Sequence, residues 1–154
     1  MHGIDATVYD ISLAEVAWGG TLVAITMAIH AIGMILTVQS TTALKVWALR
    51  RVMRAPLIAP LVLAAWLICL VHLVEVGVWA GFLVWKGLLP SAGIAYAFAL
   101  MTYTTLGSQF AIPLDWRVMQ GMLAMAGLMT FAWSTAIVVT TAQDFQSIHV
   151  RRSR

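Results

Sequence analysis

The sequence predicts an all-α membrane protein with three transmembrane helices and one shorter helix that enters the bilayer without crossing it. Three observations carry this. Of the 154 residues, 62% are hydrophobic and 10% charged, with a mean hydropathy of +0.92, outside the range of soluble domains. Three charge-poor runs each exceed the roughly 20 apolar residues that cross a bilayer core of about 30 Å. A fourth charge-free run, from Gly87 to Leu114, is interrupted by polar residues, glycine and proline.

The elements follow in order. Residues 1–15 carry Asp5, Asp10 and Glu15 and no Lys or Arg, so the basic start of a cleaved signal peptide is absent and the stretch reads as a short interfacial segment. The first span runs from Val16 to Val38, with Trp18 as an interfacial anchor. A basic loop over 39–55, holding Lys45, Arg50, Arg51 and Arg54, closes an N-terminal part of residues 1–56. Pro56 and Pro60 open the next run, since proline is tolerated in a first helical turn. This outer helix covers 57–84 and contains one charge, Glu75.

Pro90 and Gly93 mark the start of the short helix, placed at 91–103. At 1.5 Å per residue, its two or three turns cover roughly half the hydrocarbon thickness. The run Thr104, Thr105, Leu106, Gly107, Ser108, Gln109 then breaks it, followed by Pro113. So many polar groups on a lipid-facing helix would be hard to satisfy; backbone that lines a water-filled path satisfies them. Hydrogen bonding between helices is the other reading of such a threonine run. The last, inner helix covers 117–142. Residues 57–146 form one bundle, and 147–154 are a basic tail with Arg151, Arg152 and Arg154.

Charge placement fixes the parity. With three spans, the 39–55 loop and the tail share one side and hold seven Lys or Arg, against Lys86 and Arg117 on the other. The positive-inside rule then puts the N-terminus outside and the C-terminus in the cytoplasm of a cell whose inner (plasma) membrane holds this multi-pass chain. Four full spans would put either the loop or the tail on the wrong side. The basic residues flank apolar spans, so they read as topology signals and nucleic acid is excluded as a partner. Cys69 is the single cysteine, which rules out a disulfide framework.

The segment Tyr103-Thr104-Thr105-Leu106-Gly107, with Ile112-Pro113, Trp116-Arg117 and Trp133-Ser134-Thr135-Ala136 after it, resembles the pore-loop superfamily of tetrameric potassium channels. It bears a closer resemblance to small bacterial ion-channel-like proteins of that superfamily, and the likeness covers about Tyr96 to Val139. The resemblance implies a homotetramer around a central pore, with Thr104 to Gln109 as selectivity filter. Monovalent cations would be held at Thr105, Leu106 and Gly107, and no cofactor is implied beyond permeant K+ or Na+. Where the family carries Tyr, Gly and Asp after the first filter glycine, this chain has Ser108, Gln109 and Phe110. Losing the second glycine removes a residue that tolerates backbone geometry most side chains disfavour. Fewer carbonyl rings then form, and potassium is poorly separated from sodium. A retained fold with Gln109 and Phe110 closing the pore is the other outcome of the same change.

Thr130, Ser134, Val138 and Thr141 share one face of the inner helix. They read either as a weakly polar pore lining or as hydroxyls bonded back to their own helix. Gly127 is the hinge expected from the resemblance. Glu75 is the one acid deep in a span, and a mid-membrane charge costs about 2.5–3.5 kcal/mol on insertion scales. It either supports Tyr103 and the filter threonines from behind or pairs with His72 one turn away, and titration of that pair would gate the pore with pH.

Ligation of haem or a metal by His30, His72 and Glu75 is the rival from another class. Counting from the inner boundary separates the two histidines by roughly 10 Å in height, which opposes it. No catalytic constellation is visible, so an enzyme is not expected. The remaining alternatives are a non-conducting regulatory subunit and an alternating-access transporter, whose inverted repeats are not seen.

Overall fold

In a computed structural model, the backbone is described for residues 11–50 and 58–152 and the side chains for 11–48 and 58–143. The expected interfacial segment before residue 11, the Arg51–Pro56 part of the basic loop and the side chains of the basic tail lie outside this range. The described chain is all helical. The elements are α1 (Leu13–Arg50), α2 (Ala59–Trp85), α3 (Ala92–Tyr103), a single 3₁₀ turn (Leu114–Trp116) and α4 (Arg117–Arg152). Three helices are long and apolar enough to cross a membrane, over Leu13–Ala48, Ala59–Trp85 and Leu114–Gln143. At 12 residues, α3 is about 18 Å long and cannot.

The first helix departs from its expected bounds. It has 38 residues, about 57 Å at the standard rise, and continues through the first part of the expected basic loop as far as Arg50. Nothing between Val38 and Arg50 breaks a helix: the segment has no proline or glycine, and Thr41 is accommodated as Thr37 is just before it. Thr37 and Thr41 each donate to the carbonyl four residues back, at 2.8 and 2.9 Å, as Thr21 and Thr26 do earlier. This back-bonding is how a hydroxyl remains inside an apolar helix.

The chain divides into two compact units. One comprises the described part of α1 up to Thr26, α2 from Val76, α3 and α4 up to Leu128. Its core is built from Leu22, Val76, Trp79, Leu83, Phe98, Tyr103, Met119 and Leu123, all buried. Trp79 donates its indole N–H to the Thr26 hydroxyl at 2.9 Å, so the one polar atom of that ring is satisfied. Glu15, fully buried, accepts the Met119 N–H at 3.1 Å. A carboxylate from the first turn of α1 thereby serves one of the otherwise unbonded amides at the start of α4.

Trp18 packs against Phe82 and Trp85, with centroids at 5.4 and 5.5 Å. Lys86 lies 4.9 Å from the Trp18 and Trp85 rings and 6.0 Å from Trp116, within cation–π range. The start of α1, the end of α2 and the start of α4 therefore meet. The second unit comprises residues 27–75 and the rest of α4. Met34, Ala64 and Ile68 are buried in it together with His30, Thr37, Thr41, His72, Glu75, Thr130 and Ser134.

Candidate functional site

Two places in the structure concentrate chemistry, one in each unit. The first is the end of α3. This helix is capped at its start by Ser91, whose hydroxyl accepts the Ile94 N–H at 3.3 Å, a standard N-cap arrangement. At its end, Thr104 donates its N–H to Leu100 at 3.0 Å, Thr105 to Thr102 and Leu106 to Met101, both at 2.9 Å. The last two form the paired closure of a Schellman motif, which puts its C′ residue in the left-handed region. That residue is Thr105, at φ +62, and no other non-glycine residue among those described has positive φ. Gly107 follows at φ +78.

The three amides of residues 104–106 point back onto the helix. In a trans peptide the carbonyl opposes the N–H, so the Thr104 and Thr105 carbonyls point away from it. Leu106 is 79% exposed, and Thr105, Gly107 and Gln109 are exposed as well. The Ser108 hydroxyl accepts the Phe110 N–H at 3.0 Å, which makes a local turn. Behind this segment lies Tyr103, fully buried, and the Thr102 hydroxyl is buried with no hydrogen-bond partner among the described residues. Gly127 of α4 abuts the same place, where an added Cβ would overlap the Tyr103 carbonyl oxygen. The glycine expected as a hinge thus has a packing reason of its own.

The second place is a buried ring of four side chains. His30 Nδ1 lies 2.9 Å from one oxygen of Glu75, and His72 Nδ1 lies 3.3 Å from the other. The Ser134 hydroxyl lies 3.1 Å from His72 Nε2, 3.4 Å from His30 Nε2 and 4.0 Å from the Met34 sulfur. The two imidazole centroids are 5.4 Å apart, and the rings of Phe131 and Trp133 pack over His72 and His30.

This corrects two expectations. The histidines are not separated by 10 Å of height. That count took Val38 as the helix boundary, whereas α1 runs on to Arg50. Thr130 and Ser134, expected on a face open to a pore, are instead buried within the described chain, and Ser134 is engaged with the two histidines. Val138 and Thr141 of the same stripe are half-buried, and Thr141 donates to Ile137 four residues back at 2.8 Å, so its hydroxyl is bonded within the helix. The expected pairing of Glu75 with His72 is present, enlarged by His30.

Sequence reasoning missed Glu15, Ser91 and the link from Ser134 to the histidines. Ser91 was legible as a cap residue one position before a helical run, whereas the other two depend on contacts between residues 62 to 104 positions apart in the chain. Compared with protein-family models, with curated proteins and with solved structures, the chain gives no match.

Proposed function

We propose that the chain is one subunit of a tetrameric pore-loop channel that conducts monovalent cations with weak discrimination between K+ and Na+. The observation that carries the reading is the end of α3. There a β-branched residue occupies the left-handed region, which costs about 1–2 kcal/mol for an L-residue and for such a side chain is a genuine outlier. Backbone held against its preference clusters at sites of function.

The surroundings favour a cation. The C-terminus of a helix carries about half a negative charge, the Thr104 and Thr105 carbonyls project beyond it, and the segment is exposed on a single subunit. One such turn cannot enclose an ion, and closed rotational symmetry brings four copies of it together. The resulting ring of backbone oxygens replaces part of an ion's water. With Ser108 turned into a local hydrogen bond, the outer filter positions supply no further rings, which keeps selectivity low.

In this reading α3 is re-entrant from the outer side of the plasma membrane. The pore-facing stripe of α4 is drawn from its exposed residues, among them Ala132, Thr135, Val139 and Gln143, and not from the buried Thr130 and Ser134. The test is reconstitution in liposomes with a K+ or Na+ gradient and a flux dye. Flux of both ions is expected from the wild-type protein. Gly107→Ala, which places a Cβ at φ +78, is expected to lower it at least tenfold. Equal flux from both proteins, or none from a well-folded wild type, overturns the proposal.

A further inference from the structure

We propose that His30, His72 and Glu75 bind a single divalent transition-metal ion of the zinc class, with Ser134 orienting the two imidazoles. The proposal is independent of whether the pore conducts. Each of the three residues offers one donor atom, and the three atoms lie within 4.8 Å of one another in a fully interior position. His72 and Glu75, three residues apart on α2, share one face, and His30 reaches them from α1.

The donor set is two nitrogens and one carboxylate. That combination suits zinc, and it sets this position apart from the all-oxygen surroundings that alkali cations take. Zinc bonds of about 2.0–2.1 Å put tetrahedral ligands roughly 3.3 Å apart. The separation of His30 Nδ1 from one Glu75 oxygen, 2.9 Å, already lies near that value, His72 Nδ1 is 3.3 Å from the other oxygen of the same carboxylate, and one donor atom from each residue falls within 4.8 Å of the other two. Three protein ligands leave one position for water.

The outer contacts fit an occupied site. A ligating histidine donates its second ring N–H to a fixed acceptor, which sets its tautomer. With both Nδ1 atoms on the ion, both Nε2–H groups point at the Ser134 oxygen, at 3.1 and 3.4 Å. A hydroxyl oxygen has two lone pairs for them, and its own hydrogen faces the Met34 sulfur. Haem fits less well, because a porphyrin plane would have to part rings whose centroids are 5.4 Å apart and which share one hydroxyl.

The test uses the full chain in detergent micelles, stripped with a chelator and titrated with Co2+ as a visible probe and with Zn2+ in competition. One Co2+ per chain is expected, with the ligand-field bands of a four-coordinate nitrogen and oxygen site, displaced by Zn2+. Zinc is also expected to raise the thermal midpoint of the wild-type protein. Glu75→Gln and His72→Gln are expected to lose the bands. Ser134→Ala, which keeps all three ligands, is expected to keep the bands and bind about 10-fold more weakly, the lower end of the effect of such outer contacts. A folded wild type that takes up no stoichiometric Co2+ would show a hydrogen-bonded cluster only and overturn the proposal. Bands that persist unchanged in Glu75→Gln and His72→Gln would overturn it too.

Discussion

Helices α2 and α3 end in the same way and with opposite chemistry. After α2, Gly87 at φ +69 donates to Val84 and Leu88 to Leu83; after α3, Thr105 at φ +62 donates to Thr102 and Leu106 to Met101. All four bonds are 2.9 Å. At the first turn the left-handed position holds glycine, which occupies it without steric penalty, and Leu88 packs against the core. At the second the same position holds threonine, Leu106 is left 79% exposed, and the Thr102 hydroxyl just before it is buried without a described partner. One turn follows every local preference. Its counterpart violates three within five residues, and a chain that folds consistently elsewhere is expected to do so where function requires it.

The largest expected effect comes from removing what holds the second turn in place. Gly127→Ala pushes a methyl group into the Tyr103 carbonyl, which is backbone and cannot rotate away. A loss of about 2–3 kcal/mol, the upper range for overpacking, is expected in chemical unfolding monitored by tryptophan fluorescence. Gly121→Ala, at a glycine with open space around it, serves as the control and is expected to change stability little.

A smaller effect of opposite sign at the two turns sharpens the comparison. Thr105→Gly relieves the left-handed threonine and is expected to raise stability by about 1 kcal/mol, and Gly87→Thr to lower it by about 1–2 kcal/mol, from the cost of that conformation to a side chain. If Thr105 serves permeation, the more stable variant is also the one with altered K+ and Na+ flux. A Thr105→Gly protein with no gain in thermal stability would mean that the turn stores no strain.

How much of this was legible divides along the same line. The apolar runs, the prolines and Gly93 are local signals, and they announce α2 and α3 within two residues of their observed bounds. The polar run after Tyr103 announced the break. The direction in which α4 turns its hydroxyl stripe was not legible, because a helix in a membrane is apolar on its lipid face and on its packing face alike, so periodicity does not tell one from the other. Thr130 and Ser134 were on one face as read, but both are buried within the chain. The joining of His30 to His72 and Glu75 was hidden by a helix that overran its expected end.

The smallest expected effect isolates the third difference between the turns. A buried hydroxyl that makes no hydrogen bond leaves its desolvation uncompensated, and replacing it with an apolar group of the same shape is neutral or stabilising. Thr102→Val has that shape, keeps the branch at Cβ and leaves α3 otherwise unchanged. In detergent-solubilised protein it is expected to raise stability by up to about 1 kcal/mol, in the same direction as Thr105→Gly. Because Thr105 donates its N–H to the Thr102 carbonyl, the two sites are too close to be assumed independent. The double variant measures their coupling: a sum equal to the parts means two separate departures from local preference, and a smaller gain means that the left-handed threonine and the buried hydroxyl are one distortion shared across the turn.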